Sequence, residues 1–94
     1  MEYEIKHKAN DARGIFFIKE NDKTIAQLTY TLKENIMVID HTEVDRSLEG
    51  KGIGGQLVEA GYAFAKANSY KIEPLCPFAE VMFERHPEWK TQLA

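Results

Sequence analysis

The sequence predicts an α+β fold with an α/β C-terminal half, on three observations. Apolar and polar residues alternate through the first 44 positions, the spacing turns helical after position 50, and a cluster of glycines marks the change. With 94 residues, 44% of them hydrophobic, the chain can build one sheet and two or three helices around one core. A single domain over residues 1–94 is expected. Neither a barrel nor a two-half dinucleotide fold can be made from a chain this short.

Tyr3, Ile5 and His7 alternate with Glu2, Glu4, Lys6 and Lys8, the period of a half-buried strand. Asn10 to Gly14 reads as a polar turn closed by glycine. Ile15-Phe16-Phe17-Ile18 is a short apolar run of strand length, and Glu20 to Lys23 turns again. Ala26, Leu28, Tyr30 and Leu32 then share one face of a strand from Ile25 to Leu32. Lys33-Glu34-Asn35 is a third turn, after which Ile36 to Val44 is apolar on both faces, as a central strand reads. Turns this short join antiparallel neighbours. A four-stranded antiparallel meander is the expectation.

From Lys51 to Asn68, Ile53, Leu57, Ala60, Gly61, Phe64 and Ala65 recur at helical spacing, with Gln56, Glu59 and Lys66 outward. Tyr70 to Leu75 is a short strand, so strand, helix and strand imply a right-handed crossover and a parallel pairing. Pro77 suits the first turn of a C-terminal helix, with Phe78, Val81 and Met82 expected inward. Pro87 begins a closing turn that carries Trp89 and Leu93.

Twelve Lys and Arg against fifteen Asp and Glu give a net charge of −3, so no overall positive field recruits nucleic acid. One cysteine, Cys76, makes no internal disulfide, and the charged N-terminus lacks a signal-peptide core. No run reaches the ~18 apolar residues of a spanning helix. A cytoplasmic protein without nucleic-acid or membrane partners is expected. The three histidines and one cysteine show no metal-ligand spacing.

Glu49-Gly50-Lys51-Gly52-Ile53-Gly54-Gly55 carries the chemistry. Glycines between a strand and a helix leave backbone N–H groups unobstructed, and the helix start adds partial positive charge. That is a pyrophosphate cradle; a tight turn without a ligand uses the same residues. Gly50, Gly52 and Gly55 also match the dinucleotide spacing, with Glu73 near the position of its ribose-binding acid. However, Asp45 to Glu49 separate the strand from these glycines, and the preceding meander is wrong for that fold. The Walker pattern is absent.

Val44 to Gly54 resembles the acetyl-coenzyme-A loop of the GNAT superfamily of N-acetyltransferases, with Glu49, Gly52 and Gly54 at its marked positions. The order of elements also fits: antiparallel strands, loop, long helix, a strand that splays from its neighbour, then a helix. His41-Thr42-Glu43-Val44, Cys76-Pro77 and His86-Pro87 resemble a very short GNAT-like subfamily. The resemblance implies a minimal GNAT-like fold that takes acetyl-coenzyme A. It places the pyrophosphate on the amides of Glu49, Gly50, Lys51, Gly52, Ile53, Gly54 and Gly55. It places the pantetheine arm along the backbone of Thr42 and Val44. Glu49 departs from the family's usual Arg or Gln, which lowers affinity unless Arg46 or Lys51 compensates.

The family commonly carries Asn, then Ala three positions on, then a Tyr seven positions on that protonates the leaving thiolate. Here Cys76, Ala79 and Phe83 stand there, so the phenol is missing. Cys76, at a helix start where the dipole lowers a thiol pKa, is the candidate to protonate that thiolate or to accept the acetyl group. It can equally be a small buried residue. Glu43 and His41 flank the same strand end and are candidate bases; one of them is expected to point into the core. The helices that family members place between their first two strands, one wall of the acceptor site, are also missing. Three readings follow: an acetyl-coenzyme-A-dependent N-acetyltransferase for an unidentified amine, such as one on a protein; a non-catalytic acetyl-coenzyme-A binder or sensor; and an interaction module without coenzyme.

Overall fold

The computed structural model describes residues 3–94; Glu2, part of the expected alternation, lies outside them. Five strands form one sheet in the order β1-β2-β3-β4-β5. They are β1 (Lys6–Ala9), β2 (Arg13–Glu20), β3 (Lys23–Lys33), β4 (Ile36–Val44) and β5 (Lys71–Pro74). The first four pair antiparallel and β5 pairs parallel to β4. Two helices, α1 (Ile53–Ala67) and α2 (Pro77–Arg85), and a closing 3-10 turn (Pro87–Gln92) complete the chain. The expected meander, crossover and C-terminal helix are all present.

Asn21 and Asp22 both have positive φ (54° and 64°), so the β2–β3 turn is the type whose twist matches a hairpin. The turn between β1 and β2 differs from expectation. Gly14 is not its reversing residue but lies inside β2 opposite Tyr30, and a Cβ there would overlap the Tyr30 ring. The phenol leans across β2 and donates or accepts a 2.6 Å hydrogen bond with His7 Nε2 on β1. His7 also stacks on Phe16, with centroids 4.1 Å apart. Glycine therefore makes room for an aromatic cross-strand tie.

Phe16, Ile18, Ala26, Leu28, Tyr30, Met37 and Ile39 fill one face of the sheet. Leu57, Val58 and Ala65 of α1 and Ala79 and Phe83 of α2 join the same cluster. Each large side chain withdrawn from water this way contributes about 1.5–3 kcal/mol. Trp89 seals the end, stacked on Tyr62 of α1 at 5.0 Å and meeting Phe83 edge-on at 5.5 Å. Both helices thus lie on one side of the sheet.

α2 turns differently from the expectation. Phe78 and Val81 are 41% and 42% exposed, while Ala79 and Phe83 face the core and Met82, as expected, packs against it. The Phe83–Trp89 contact fixes the helix rotation, and Phe78 then points sideways onto α1. No helix among the described residues is long and apolar enough to cross a membrane.

Candidate functional site

The site begins where β4 and β5 separate. Their parallel pairing runs from Ile36↔Lys71 to Ile39↔Pro74 and stops there. Leu75 N–H and Cys76 N–H both donate to the Ile39 carbonyl, at 3.1 and 3.2 Å, which closes the apex of the gap. β4 continues to Val44, bonded only to β3.

A register shift helps aim this segment. Tyr30 pairs with Ile39 and Thr29 with His41, so Asp40 is an extra residue, a β-bulge. After it, His41 and Glu43 both fall on the face opposite the helices, exposed and 3.4 Å apart between Nε2 and Oε2. Neither enters the core: the pairs Leu28↔Thr42 and Ala26↔Val44 put Thr42 and Val44 on the helix side instead. Asp45 N–H donates to the Ile25 carbonyl at 2.8 Å. Peptide groups alternate sides along a strand, so those of Thr42 and Val44 face the gap rather than β3.

The turn after β4 is held by Asp45. Its carboxylate accepts from Ser47 N–H at 2.9 Å and Ser47 O–H at 2.8 Å, and Lys23 approaches to 3.7 Å. These bonds, the Ser47 amide first, hold the Asp45 carboxyl below its usual range. A 3-10 turn, Arg46–Leu48, follows and buries Leu48. Gly50 (φ 84°) and Gly52 (φ 73°) then take left-handed conformations that other residues adopt at a cost of about 1–2 kcal/mol. Gly52 caps α1 without any side-chain hydrogen bond. The first-turn amides of Ile53, Gly54 and Gly55 therefore keep no partner within the helix.

These parts surround one cavity of about 350 Å³. Thr42 and Val44 form its strand wall, Glu49, Gly50 and Gly52 its loop wall, and Ile53, Gly54 and Gly55 its helix wall. Leu48 and Phe78 complete it; the sequence placed neither at the site, and Phe78 was expected in the core. Phe78 lies so close that a Cβ on Gly54 would sit 2.8 Å from its ring. Lys51 is not part of the cavity; it lines a separate recess with Ile5 and Gln56.

Cys76 caps α2 beside the cavity and is 7% exposed. Its thiol lies 3.6 Å from the Thr42 hydroxyl. Burial pushes the thiol pKa up, but hydrogen bonds from the Ala79 backbone, the Thr42 hydroxyl and the Phe78 and Thr42 backbones outweigh it. The net direction is below the ordinary thiol value. Phe83 is 2% exposed, turned into the core against Trp89.

The family model described as GCN5-related N-acetyl-transferase matches residues 15–93. The chain belongs to this family. A GCN5-like protein from Staphylococcus aureus, solved in solution by NMR, superposes with a TM-score of 0.72 at 30% identity, over 95% of this chain and 87% of that one. The ribosomal-protein-alanine N-acetyltransferase of Brucella melitensis biovar Abortus shares the fold at a TM-score of 0.67, with 18% identity over 82% of this chain. AAC(6')-Iy, solved with the bisubstrate analogue CoA-S-monomethyl-acetylneamine, shares it at 0.57, with 12% identity over 85%. The chain spans 62% of each of these last two proteins. No curated protein matches it. The GNAT-like fold expected from the sequence is the observed one.

Proposed function

We propose that this GNAT protein transfers an acetyl group from acetyl-coenzyme A to an amine. The observation that carries the reading is the cavity that joins the uncapped start of α1 to the unpaired edge of β4. Pyrophosphate oxygens suit the amides of Gly52 to Gly55, and the pantetheine amides suit the gap-facing peptide groups of Thr42 and Val44. Bound there, acetyl-coenzyme A supplies an activated acetyl thioester.

The chain's own groups divide by side. Cys76 stands on the helix side of β4, and its hydrogen bonds favour a thiolate, so it can hold or return a proton at Sγ or take the acetyl group. His41 and Glu43 stand on the opposite face, where an amine entering the gap from that side meets a base. Donor and acceptor would then approach β4 from its two faces. The acceptor is an amine, such as one carried on a protein.

The buried Phe83 favours a second reading, a non-catalytic acetyl-coenzyme-A binder, because no phenol is present at that position. Calorimetry with acetyl-coenzyme A tests the shared donor site; no heat at millimolar ligand would sink both readings. Acetylation of a panel of amines and peptides separates them. Mass analysis of the protein after incubation with acetyl-coenzyme A alone asks whether an acetyl group remains on Cys76.

A further inference from the structure

An open recess of about 930 Å³ runs along α1 beside the cavity. Ile53 lines both, so the recess continues from the cavity past the start of the helix. Lys51 enters the recess by its side chain. Gly50 and Gly52 on either side of it take positive φ, and its own N–H donates to the Leu48 carbonyl at 3.3 Å. Lys51 therefore gives the cavity neither a wall nor a free amide. Opposite charges mark the two ends of the recess. Lys51 precedes α1, Glu59 follows after about 10 Å of helix, and Gln56 stands between them. Both charged residues are exposed, and among the described residues neither forms an ion pair. Tyr3 and Ile5, half-buried, and Ala63 supply apolar sides.

We propose that this recess holds the nucleotide end of the coenzyme, with the Lys51 ammonium on its ribose 3′-phosphate. The inference rests on the acetyl-coenzyme-A reading above and extends it to the part of the molecule that the cavity cannot take. Ligand sites span about 300–1,000 Å³. At about 350 Å³ the cavity has room for the pantetheine arm and pyrophosphate, and a purine nucleoside needs space beyond it. A pyrophosphate on the amides of Gly52 to Gly55 leaves the adenosine at the helix start, where the recess opens. The recess also has the polarity of that group. Its cation lies nearest the phosphates, and Tyr3 offers an aromatic ring to the flat base. The Glu59 carboxylate can accept from the exocyclic amine of adenine, and the Gln56 amide can pair with the ring edge. Glu59 also repels a second anion, so the charge order fixes which way the nucleotide lies.

Titration calorimetry on the intact chain tests this by removing the phosphate and the ammonium separately. Wild type should bind acetyl-coenzyme A about tenfold more tightly than dephospho-acetyl-coenzyme A, which lacks only the ribose 3′-phosphate. Lys51→Gln should lose about the same factor on acetyl-coenzyme A and nothing on the dephospho ligand, so the two changes do not add. The unchanged affinity for the dephospho ligand also shows that the variant is folded. Adenosine 3′,5′-bisphosphate alone should compete with acetyl-coenzyme A, and do so less well in Lys51→Gln. An equal loss on both ligands would put Lys51 on the pyrophosphate and overturn the proposal. A wild type that binds the two ligands alike overturns it too, as does a bisphosphate that binds without competing. In each of those cases acetyl-coenzyme A still binds and the donor-site reading stands. No heat with acetyl-coenzyme A overturns both.

Discussion

The Cys76 thiol reaches the Thr42 hydroxyl at 3.6 Å, joining the cap of α2 to the strand wall of the cavity across 34 residues of sequence. This contact is one of several that hold the thiol below its ordinary pKa. Thr42→Val keeps the β-branched shape and removes the hydroxyl. The Cys76 pKa should rise, read from the pH dependence of its alkylation rate, while remaining sensitive to the Ala79 and Phe78 backbones. An unchanged alkylation profile would show that the hydroxyl does not support the thiolate. Any acetyl transfer that uses Cys76 should then shift its pH optimum upward with it.

Glu49 puts a carboxylate on the wall where the uncapped amides of α1 offer a place for anions. It is exposed, and Arg46, which begins the preceding 3-10 turn, is exposed as well, so solvent screens both. Replacing Glu49 by Gln removes one like charge without changing shape. Acetyl-coenzyme A should bind about 3–10-fold more tightly, and the gain should shrink as salt is raised. Titration calorimetry at two ionic strengths measures both. A weaker complex with Glu49→Gln would mean that the carboxylate itself makes a favourable contact.

Much of the fold was legible because the alternation from Tyr3 to Val44 and the helical spacing from Ile53 to Ala65 are strong local signals. The loop was legible for the same reason: its glycines are needed where backbone must turn with positive φ, as Gly50 and Gly52 do. The bulge at Asp40 left no such mark. It depends on how β3 and β4 register, and it turns both His41 and Glu43 outward, where unbroken alternation from Met37 and Ile39 would have put both on the core side. The α2 face was misassigned because nine residues give a weak period, and the contact of Phe83 with Trp89 decides the rotation. Gly14 looked like a turn residue because nothing nearby announces Tyr30, sixteen positions later, as the ring that needs its space. Asp45-Arg46-Ser47 carries a readable capping signal, an acid two residues before a serine amide.

His7 makes the fold sensitive to acid. Burial lowers its pKa from the ordinary value, and its neutral ring stacks on Phe16 and bonds the Tyr30 hydroxyl. A depressed folded pKa means that the unfolded chain takes up the proton first. The stabilisation is therefore present above the unfolded value near 6.5 and is lost as pH falls through the folded one. Urea midpoints should fall between about pH 7 and pH 5. The depressed Asp45 and Glu88 carboxyls come into play only at lower pH, below their ordinary values near 4. His7→Phe keeps an aromatic stack, leaves Tyr30 without its partner, and should flatten the decline over that range. An equal slope in wild type and variant would assign it elsewhere.

Phe83 occupies the position where the family resemblance places a phenolic acid, and restoring that phenol should not restore its chemistry. The ring is 2% exposed and meets Trp89 edge-on at 5.5 Å, within a cluster that holds Ala79, Leu57 and Ile72. A hydroxyl added there enters an apolar environment in which a lone polar group costs about 1–3 kcal/mol. Phe83→Tyr should therefore lower the denaturation midpoint without increasing acetyl transfer or altering its pH profile. Cys76→Ala, by contrast, should leave acetyl-coenzyme-A binding in place and reduce turnover by about 10²-fold or more if the thiol carries the acetyl group or the proton. Turnover that rises in Phe83→Tyr would show that the helix can turn its side chain toward the gap. The core packing around Trp89 would then not be what holds the phenol position away from the site.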